Sequence, residues 1–264
     1  MTKKNHEGAS GLDRREAIAT VGFGLLGSVL LAACSDSNTA STDGGTTTDS
    51  GSGTCSTIAS ETGGPYPDID GMISNTTYQR SNIAETQTGT ALTFTLTLLD
   101  SGNSCAAIAG ARVMVWHCNK DGVYSEYNNS MNAGDTSATY GRGWQISGSS
   151  GTVTFTTIYP GWYSPRATHI HVEIYNPNNL TTPIKTTQFG FPDAINTAVQ
   201  SQSTYKSGQT NSTTNDTDQV FGGTTTSTGD GDGGGHAHQI ATVSGSNSAG
   251  YTASLDLAFT GYSA

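Results

Sequence analysis

Residues 151–175 read GTVTFTTIYPGWYSPRATHIHVEIY, and they contain two short runs of alternating apolar residues separated by a turn. Val153 and Phe155 lie on one face of the first run, and Pro160-Gly161 then interrupts the alternation. In the second run, residues 169–175, isoleucine and valine alternate with histidine, glutamate and tyrosine. Period-2 alternation bounded by Gly and Pro is typical of strands joined by turns. This stretch therefore predicts two β-strands connected by a tight turn.

The same pattern recurs along the rest of the chain from Ile58 onward. Alternating apolar residues occupy 92–98, 113–115 and 251–259, and these runs are separated by Gly, Asn, Asp and Pro. No helical pattern of ten residues occurs after the N-terminal leader. The sequence predicts an all-β domain over residues 58–264, a β-sandwich with long irregular loops at 176–184 and 201–235.

The N-terminus has the features of an export signal. A seventeen-residue apolar run, 17–33, follows Arg14-Arg15 and ends in Leu31-Ala32-Ala33-Cys34. A basic region, a short apolar stretch and small residues before a cleavage site predict a signal peptide at 1–33. The paired arginines resemble a twin-arginine signal, although the general secretory route stays open.

The end of this leader resembles a bacterial lipobox, which implies cleavage before Cys34 and lipidation of that cysteine. The expected product is an exported protein attached to a membrane by a lipid anchor. The alternative is an ordinary signal peptide with a coincidental cysteine. Residues 34–57 are nearly all Ser, Thr, Gly and Asp, a composition that predicts a flexible linker between anchor and domain.

The overall charge excludes one class of partner. The chain has 264 residues and a formal net charge of −10, with 11 basic and 21 acidic side chains. No basic cluster follows the N-terminus, so nothing is available to neutralise a phosphate backbone. We therefore expect no nucleic-acid partner.

Three cysteines remain beyond the lipobox, and an odd number cannot all pair internally. Cys105 precedes the strand around Val113 and Cys118 ends it, so we predict a disulfide between Cys105 and Cys118. Cys55 lies in the linker and is expected to be the unpaired one. Zinc binding is the competing hypothesis, but the sequence has no Cys-x-x-Cys motif.

Two His-x-His pairs are candidate metal ligands, His169/His171 and His236/His238. Period-2 geometry places both imidazoles of such a pair on one face of a strand, where they can share a metal. The residues alone leave open whether the first pair binds a metal or forms structural hydrogen bonds. The second pair follows the glycine-rich stretch 229–235, for which solvent exposure is the default.

Four motifs occur in an order that resembles a known family. Residues 116–125 read WHCNKDGVYS, Arg142-Gly143 follows, 157–163 read TIYPGWY, and 166–171 read RATHIH. The segments ETGGPY at 61–66 and TQF at 187–189 also match. This set resembles the intradiol ring-cleavage dioxygenases, which include catechol and protocatechuate dioxygenases, over roughly residues 55–220.

The resemblance implies a mononuclear ferric iron, Fe(3+), held by two tyrosinates and two histidines, with a small aromatic diol and O2 as substrates. By motif, the ligands are Tyr124, Tyr163, His169 and His171. The implied reaction cleaves a catechol-type ring between its two hydroxylated carbons and gives a muconate-type product. Tyr163 would leave the metal and take a substrate proton, Arg166 would stabilise charge developing on the ring, and Gln188 would assist by hydrogen bonding.

Two rival hypotheses keep the β-sandwich but dispense with ring cleavage. One is a non-catalytic lipoprotein that binds a ligand or a metal on the same scaffold, because fold does not determine function. The other is a zinc or copper carrier that uses both His-x-His pairs, which would have to converge in space. The colour of the purified protein distinguishes the ferric enzyme from a protein with zinc or an empty site, because only tyrosinate-to-ferric charge transfer gives a red-brown colour.

Overall fold

The computed structural model describes residues 55–67, 71–221, 236 and 238–263, all within the compact unit formed by residues 49–264. The predicted signal peptide, Cys34 and most of the predicted linker lie outside these residues. Among the helices that are described, none is long and apolar enough to cross a membrane.

Two larger sheets, one mixed and one antiparallel, organise the described chain. The first sheet contains β1 (Ala91–Asp100), β2 (Ala106–Ala107), β7 (Thr152–Ile158), β10 (Thr242–Ser246) and β11 (Gly250–Phe259). The second contains β3 (Arg112–Trp116), β6 (Arg142–Ile146), β8 (His169–Tyr175) and β9 (Lys185–Gly190). A hairpin of β4 (Asn128–Asn129) and β5 (Asn132–Ala133) and the helix α1 (Asp193–Gln200) lie in the connections, as do short 3₁₀ turns at Met72–Ser74, Thr76–Tyr78 and Lys206–Gly208.

Strand pairing follows the predicted alternation. In the first sheet β1 pairs in parallel with β11 and antiparallel with β7, where Phe94 faces Phe155. The second sheet is antiparallel with the order β6-β3-β8-β9. There His171 on β8 lies opposite Trp116 on β3 and Gln188 on β9. The register thus brings three motif residues from separate strands side by side.

The main core lies between the two sheets. Phe94 and Phe155 of the first sheet pack at a ring-centroid distance of 5.3 Å, and Phe94 also contacts Phe189 of the second sheet at 5.6 Å. Ile170, Val172 and other apolar residues of the second sheet are fully buried in the same cluster. Each such side chain contributes about 1.5 to 3 kcal/mol by leaving water. The predicted all-β sandwich is confirmed.

The outer face of the second sheet supports a smaller core. Because side chains alternate along β8, burying Ile170 and Val172 between the sheets turns His169 and His171 to the opposite face. Loops cover that face and bury it: a second apolar cluster there includes Trp116, Tyr124 and Tyr66, and both histidines are also nearly inaccessible to solvent. The site described below lies under these loops.

The predicted disulfide is wrong. Cys105 is bonded to Cys55, with 5.8 Å between their Cα atoms, whereas Cys118 is a buried free thiol. Cys105 lies in the turn before β2, and Cys118 lies past the far end of β3. The Cys105 turn leads into β2 of the first sheet, whereas Cys118 follows β3 of the second sheet and is buried in a different apolar cluster, the one around Trp116 and Tyr124. The bond instead ties the start of the described chain to the first sheet.

Candidate metal centre

Four side-chain donors converge at one point on the outer face of the second sheet. The Tyr124 hydroxyl lies 3.4 Å from His169 Nε2 and 3.2 Å from His171 Nε2. The Tyr163 hydroxyl lies 3.2 Å from His169 Nε2, and the two Nε2 atoms are 3.2 Å apart. Two phenol oxygens and two imidazole nitrogens therefore face a common centre, although they come from three different segments of the chain.

Neighbouring groups orient both imidazole rings. His169 Nδ1 donates to the carbonyl of Ala167 at 2.7 Å, which leaves a lone pair on Nε2 toward the centre. The His171 ring lies parallel to Trp116, with 4.7 Å between centroids and 3° between planes. Supporting contacts of this kind orient ligating histidines in metal sites. The β8 backbone and these two contacts thus present both Nε2 atoms to the same point.

The two tyrosines come from turns that pack backbone against backbone. Gly161 donates its N–H to the carbonyl of Asn119 at 3.0 Å, and a Cβ at Gly161 would lie 2.4 Å from the Lys120 oxygen. A Cβ on Gly122, whose φ is +82°, would lie 2.1 Å from the Trp162 oxygen. Only glycine tolerates approaches this close. The glycines of both motifs are therefore needed to bring Tyr124 and Tyr163 together.

Polar side chains fix the turn that carries Tyr124. Asn132 accepts the Tyr124 N–H at 2.7 Å and donates to the carbonyls of Tyr124 and Tyr127 at 2.9 and 2.7 Å. The fully buried Arg142 donates to the Ser125 hydroxyl and carbonyl, both at 3.1 Å. These bonds satisfy turn carbonyls that would otherwise be buried without partners. The Arg142-Gly143 motif therefore has a structural function.

Arg166 reaches the centre from the turn before β8. Its Nη1 lies 3.5 Å from His169 Nε2, and its Nη2 donates to Gln188 Oε1 at 2.6 Å. Its Nε donates to both carboxylate oxygens of Asp218, at 3.0 and 2.9 Å. The ion pair is buried, with the Asp218 side chain fully inaccessible. The cation is thus held at the edge of the four-donor centre.

Burial determines the charge states of the four donors. It raises the pKa of Tyr124 well above its usual value, and the nearby Tyr163 raises it further. It also raises the pKa of Tyr163 to about 12, against the opposing effect of Arg166. For His169 and His171 burial lowers the pKa well below the usual value. The imidazoles are therefore neutral donors, and ionised phenolates at this site would require a cation beside them.

This donor set fits a trivalent iron. Ionised phenol oxygens are hard anionic donors suited to a highly charged cation, and neutral imidazole is a common ligand of iron. In the part of the chain that the structure describes, no group of three or more His, Cys, Asp or Glu side chains is placed to hold a metal. The centre differs from such groups because half of its donors are tyrosines.

The second His-x-His pair lies elsewhere. His236 Nε2 is 3.4 Å from Asp216 Oδ1, and His238 is exposed.

The structure brings together the six residues that the motifs singled out, which are Tyr124, Tyr163, Arg166, His169, His171 and Gln188.

Sequence reasoning missed Asp218 and Asn132. Each is a single residue within a polar stretch of sequence, where no spacing or alternation distinguishes it from its neighbours.

No protein-family model matches the chain, and no curated protein sequence matches it significantly. Solved structures do match. An intradiol ring-cleavage dioxygenase from Tetranychus urticae is 28% identical, with a TM-score of 0.63, over 78% of this chain and 95% of that chain. Hydroxyquinol 1,2-dioxygenase from Pseudomonas putida DLL-E4 is 18% identical, with a TM-score of 0.50, over 79% and 68%.

Proposed function

We propose that this chain, which has the β-sandwich fold of the intradiol ring-cleavage dioxygenases and resembles them in its motifs, is itself such an enzyme. Its substrates would be O2 and a catechol-type aromatic diol. The bond between the two hydroxylated carbons would break, and both oxygen atoms would enter a muconate-type product. The reaction balances without a further reductant, because the diol supplies all the electrons that O2 accepts.

One observation carries this proposal: four donor atoms from three segments converge, and each lies 3.2 to 3.4 Å from at least one of the others. Tyr124, Tyr163, His169 and His171 would hold ferric iron. Bound there, the iron would bind the diol as its dianion and activate the ring toward oxygen. A module that binds only an organic ligand needs no such set of donors.

The two tyrosines differ in exposure, and this difference supports different roles for them. Tyr124 is fully buried, whereas Tyr163 is partly exposed. Tyr163 is therefore the phenol that an arriving diol can reach and displace. Its hydroxyl oxygen would then take a proton from the diol, because burial raises the pKa of Tyr163 to about 12 and so makes its phenolate a strong base. Tyr124 would stay in place.

Arg166 supplies a fixed positive charge beside the reacting ring. Its guanidinium lies next to His169, where negative charge would develop on the substrate during oxygen attack. The Gln188 amide is engaged at both ends, because its oxygen accepts from Arg166 and its Nε2 donates to the Thr62 carbonyl at 2.7 Å. Gln188 therefore supports Arg166 and the 61–66 segment.

We also propose that the protein is exported and lipid-anchored through Cys34. The sequence features at 1–33 support this, and so does the Cys55–Cys105 disulfide, because such bonds persist mainly in oxidising compartments. A flexible linker would hold the catalytic domain away from the membrane.

Oxygen uptake with product identification tests the proposal. Protein loaded with ferric iron is given catechol, hydroxyquinol or protocatechuate in an oxygen electrode. Consumption of one O2 per diol with a muconate-type product is expected, and His169→Ala should abolish it. As a matched histidine control, His238→Ala replaces an exposed histidine and should leave turnover unchanged. Diol binding without oxygen uptake would favour the non-catalytic lipoprotein, and cleavage outside the two hydroxylated carbons would refute the assignment.

A further inference from the structure

Two of the three guanidinium nitrogens of Arg166 donate hydrogen bonds to neighbouring side chains. Nε donates to the Asp218 carboxylate, and Nη2 donates to Gln188 Oε1. Nη1 is the nitrogen directed at the four-donor centre, 3.5 Å from His169 Nε2. A guanidinium is a rigid planar fork, so fixing two of its nitrogens fixes the direction of the third.

Asp218 also fixes the backbone beside Arg166. One carboxylate oxygen accepts the Ala167 N–H, and the other accepts the N–H groups of Val220 and Phe221 at 2.7 and 3.1 Å. The Phe221 ring lies 5.7 Å from the Arg166 guanidinium carbon and 6.2 Å from the His169 ring. A single carboxylate thus joins the 218–221 turn to the turn that precedes β8.

We propose that Asp218 is a positioning residue that aims Arg166 Nη1 at the substrate. This inference rests on the proposed function, and it assigns a role to a residue outside every motif of the sequence. Gln188 completes the arrangement by holding Nη2. Without Asp218 the guanidinium keeps its charge but loses its fixed direction, and a misdirected cation stabilises developing charge poorly.

The test is a double-mutant cycle on turnover. Asp218→Asn should lower kcat by about 10-fold or more, with little change in KM, because Arg166 acts on charge that develops during the reaction. In an Arg166→Ala background the same substitution should change kcat by less than about twofold, since Asp218 acts through Arg166. The visible colour of the iron-loaded protein should persist in all variants, because none of the four donors is altered. Asp216→Asn is the matched control, two residues earlier and exposed, and it should leave kcat unchanged.

A second variant keeps the proposal testable if Asp218→Asn does not fold. Arg166→Lys retains the positive charge but replaces the three-nitrogen fork by one flexible ammonium, which the Asp218 carboxylate would bind. Its kcat should fall nearly as far as that of Arg166→Ala. Near-normal turnover by Arg166→Lys would overturn the proposal, because a directed fork would then be unnecessary.

Other results would also overturn it. Equal losses from Asp218→Asn in the wild-type and Arg166→Ala backgrounds would show a role independent of Arg166, and loss of colour would show a role in building the centre. Unchanged turnover in Asp218→Asn, with a coloured and active wild type, would overturn this inference and leave the proposed function intact. A colourless and inactive wild type would overturn both, because Arg166 would then have no substrate to stabilise.

Discussion

Replacing Gly64 by alanine should disturb the candidate metal centre, because the added Cβ would contact the His171 ring. Gly64 has a φ of +75°, and a Cβ there would lie 2.7 Å from His171 Cε1. The left-handed conformation costs a non-glycine residue about 1 to 2 kcal/mol. Overpacking a filled site costs a further 1 to 3 kcal/mol or so. The His171 ring has little freedom to move, because it is stacked on Trp116 and its backbone belongs to the buried strand β8. We expect Gly64→Ala to lower the free energy of unfolding by about 2 to 5 kcal/mol.

Gly63→Ala provides the matched control for this prediction. A Cβ at Gly63 would meet Glu173 Oε1 at 3.6 Å and Pro67 Cβ at 3.9 Å, both ordinary contacts. Its free energy of unfolding should change by less than about 1 kcal/mol. Urea unfolding of both variants gives the difference, and iron retained after dialysis shows whether His171 has moved. Equal stability and equal iron retention in the two variants would refute the reasoning, since the predicted clash would then be absent.

The disulfide, the metal ligands and the lipid anchor each give one further prediction. Cys55→Ser should lower the free energy of unfolding by about 4 kcal/mol, because the bond closes a 50-residue separation, and non-reducing peptide mapping should link Cys55 to Cys105 rather than to another cysteine. Tyr163→Phe should retain iron with altered colour, whereas His169→Ala should lose iron during dialysis. The reason is that His169 Nε2 lies at the middle of the donor cluster. Equal iron retention by the two variants would contradict this. Growth with a labelled fatty acid should label the wild type but not Cys34→Ala, and an unlabelled wild type would refute the anchor.

Local alternation predicted five of the nine strands that build the sandwich in the described chain: β1, β3, β7, β8 and β11. The runs at 92–98, 113–115, 153–157, 170–174 and 251–259 all lie within strands of the structure. The prediction of these strands succeeded because one face of each strand is buried between the sheets. Burial alone then requires an apolar residue at every second position. The same rule placed His169 and His171 on one shared face. The short helix α1 was not predicted, because eight residues leave too short a pattern to recognise.

The failures concern contacts between residues distant in sequence. The pairing of Cys105 was wrong because proximity along the chain suggested Cys118, whereas β3 carries the chain away from that turn. Asp218 was missed because it is 52 residues from Arg166 in sequence, and only the folded chain brings the two side chains into contact. The two tyrosines were recognised through motifs that resemble a family. Nothing in their local sequence shows that the turns around Gly122 and Gly161 pack together.

The visible absorption spectrum of the purified, iron-loaded protein tests the central claim most directly. With iron content measured independently, two tyrosinates bound to one ferric ion should give a broad charge-transfer band and a red-brown colour. The band should shift when catechol is added without oxygen, and it should change in Tyr163→Phe but not in Tyr262→Phe, whose hydroxyl bonds the Ala109 carbonyl at 3.1 Å. A protein that holds one equivalent of ferric iron and yet is colourless would contradict the account, because its iron would then be bound without tyrosinate.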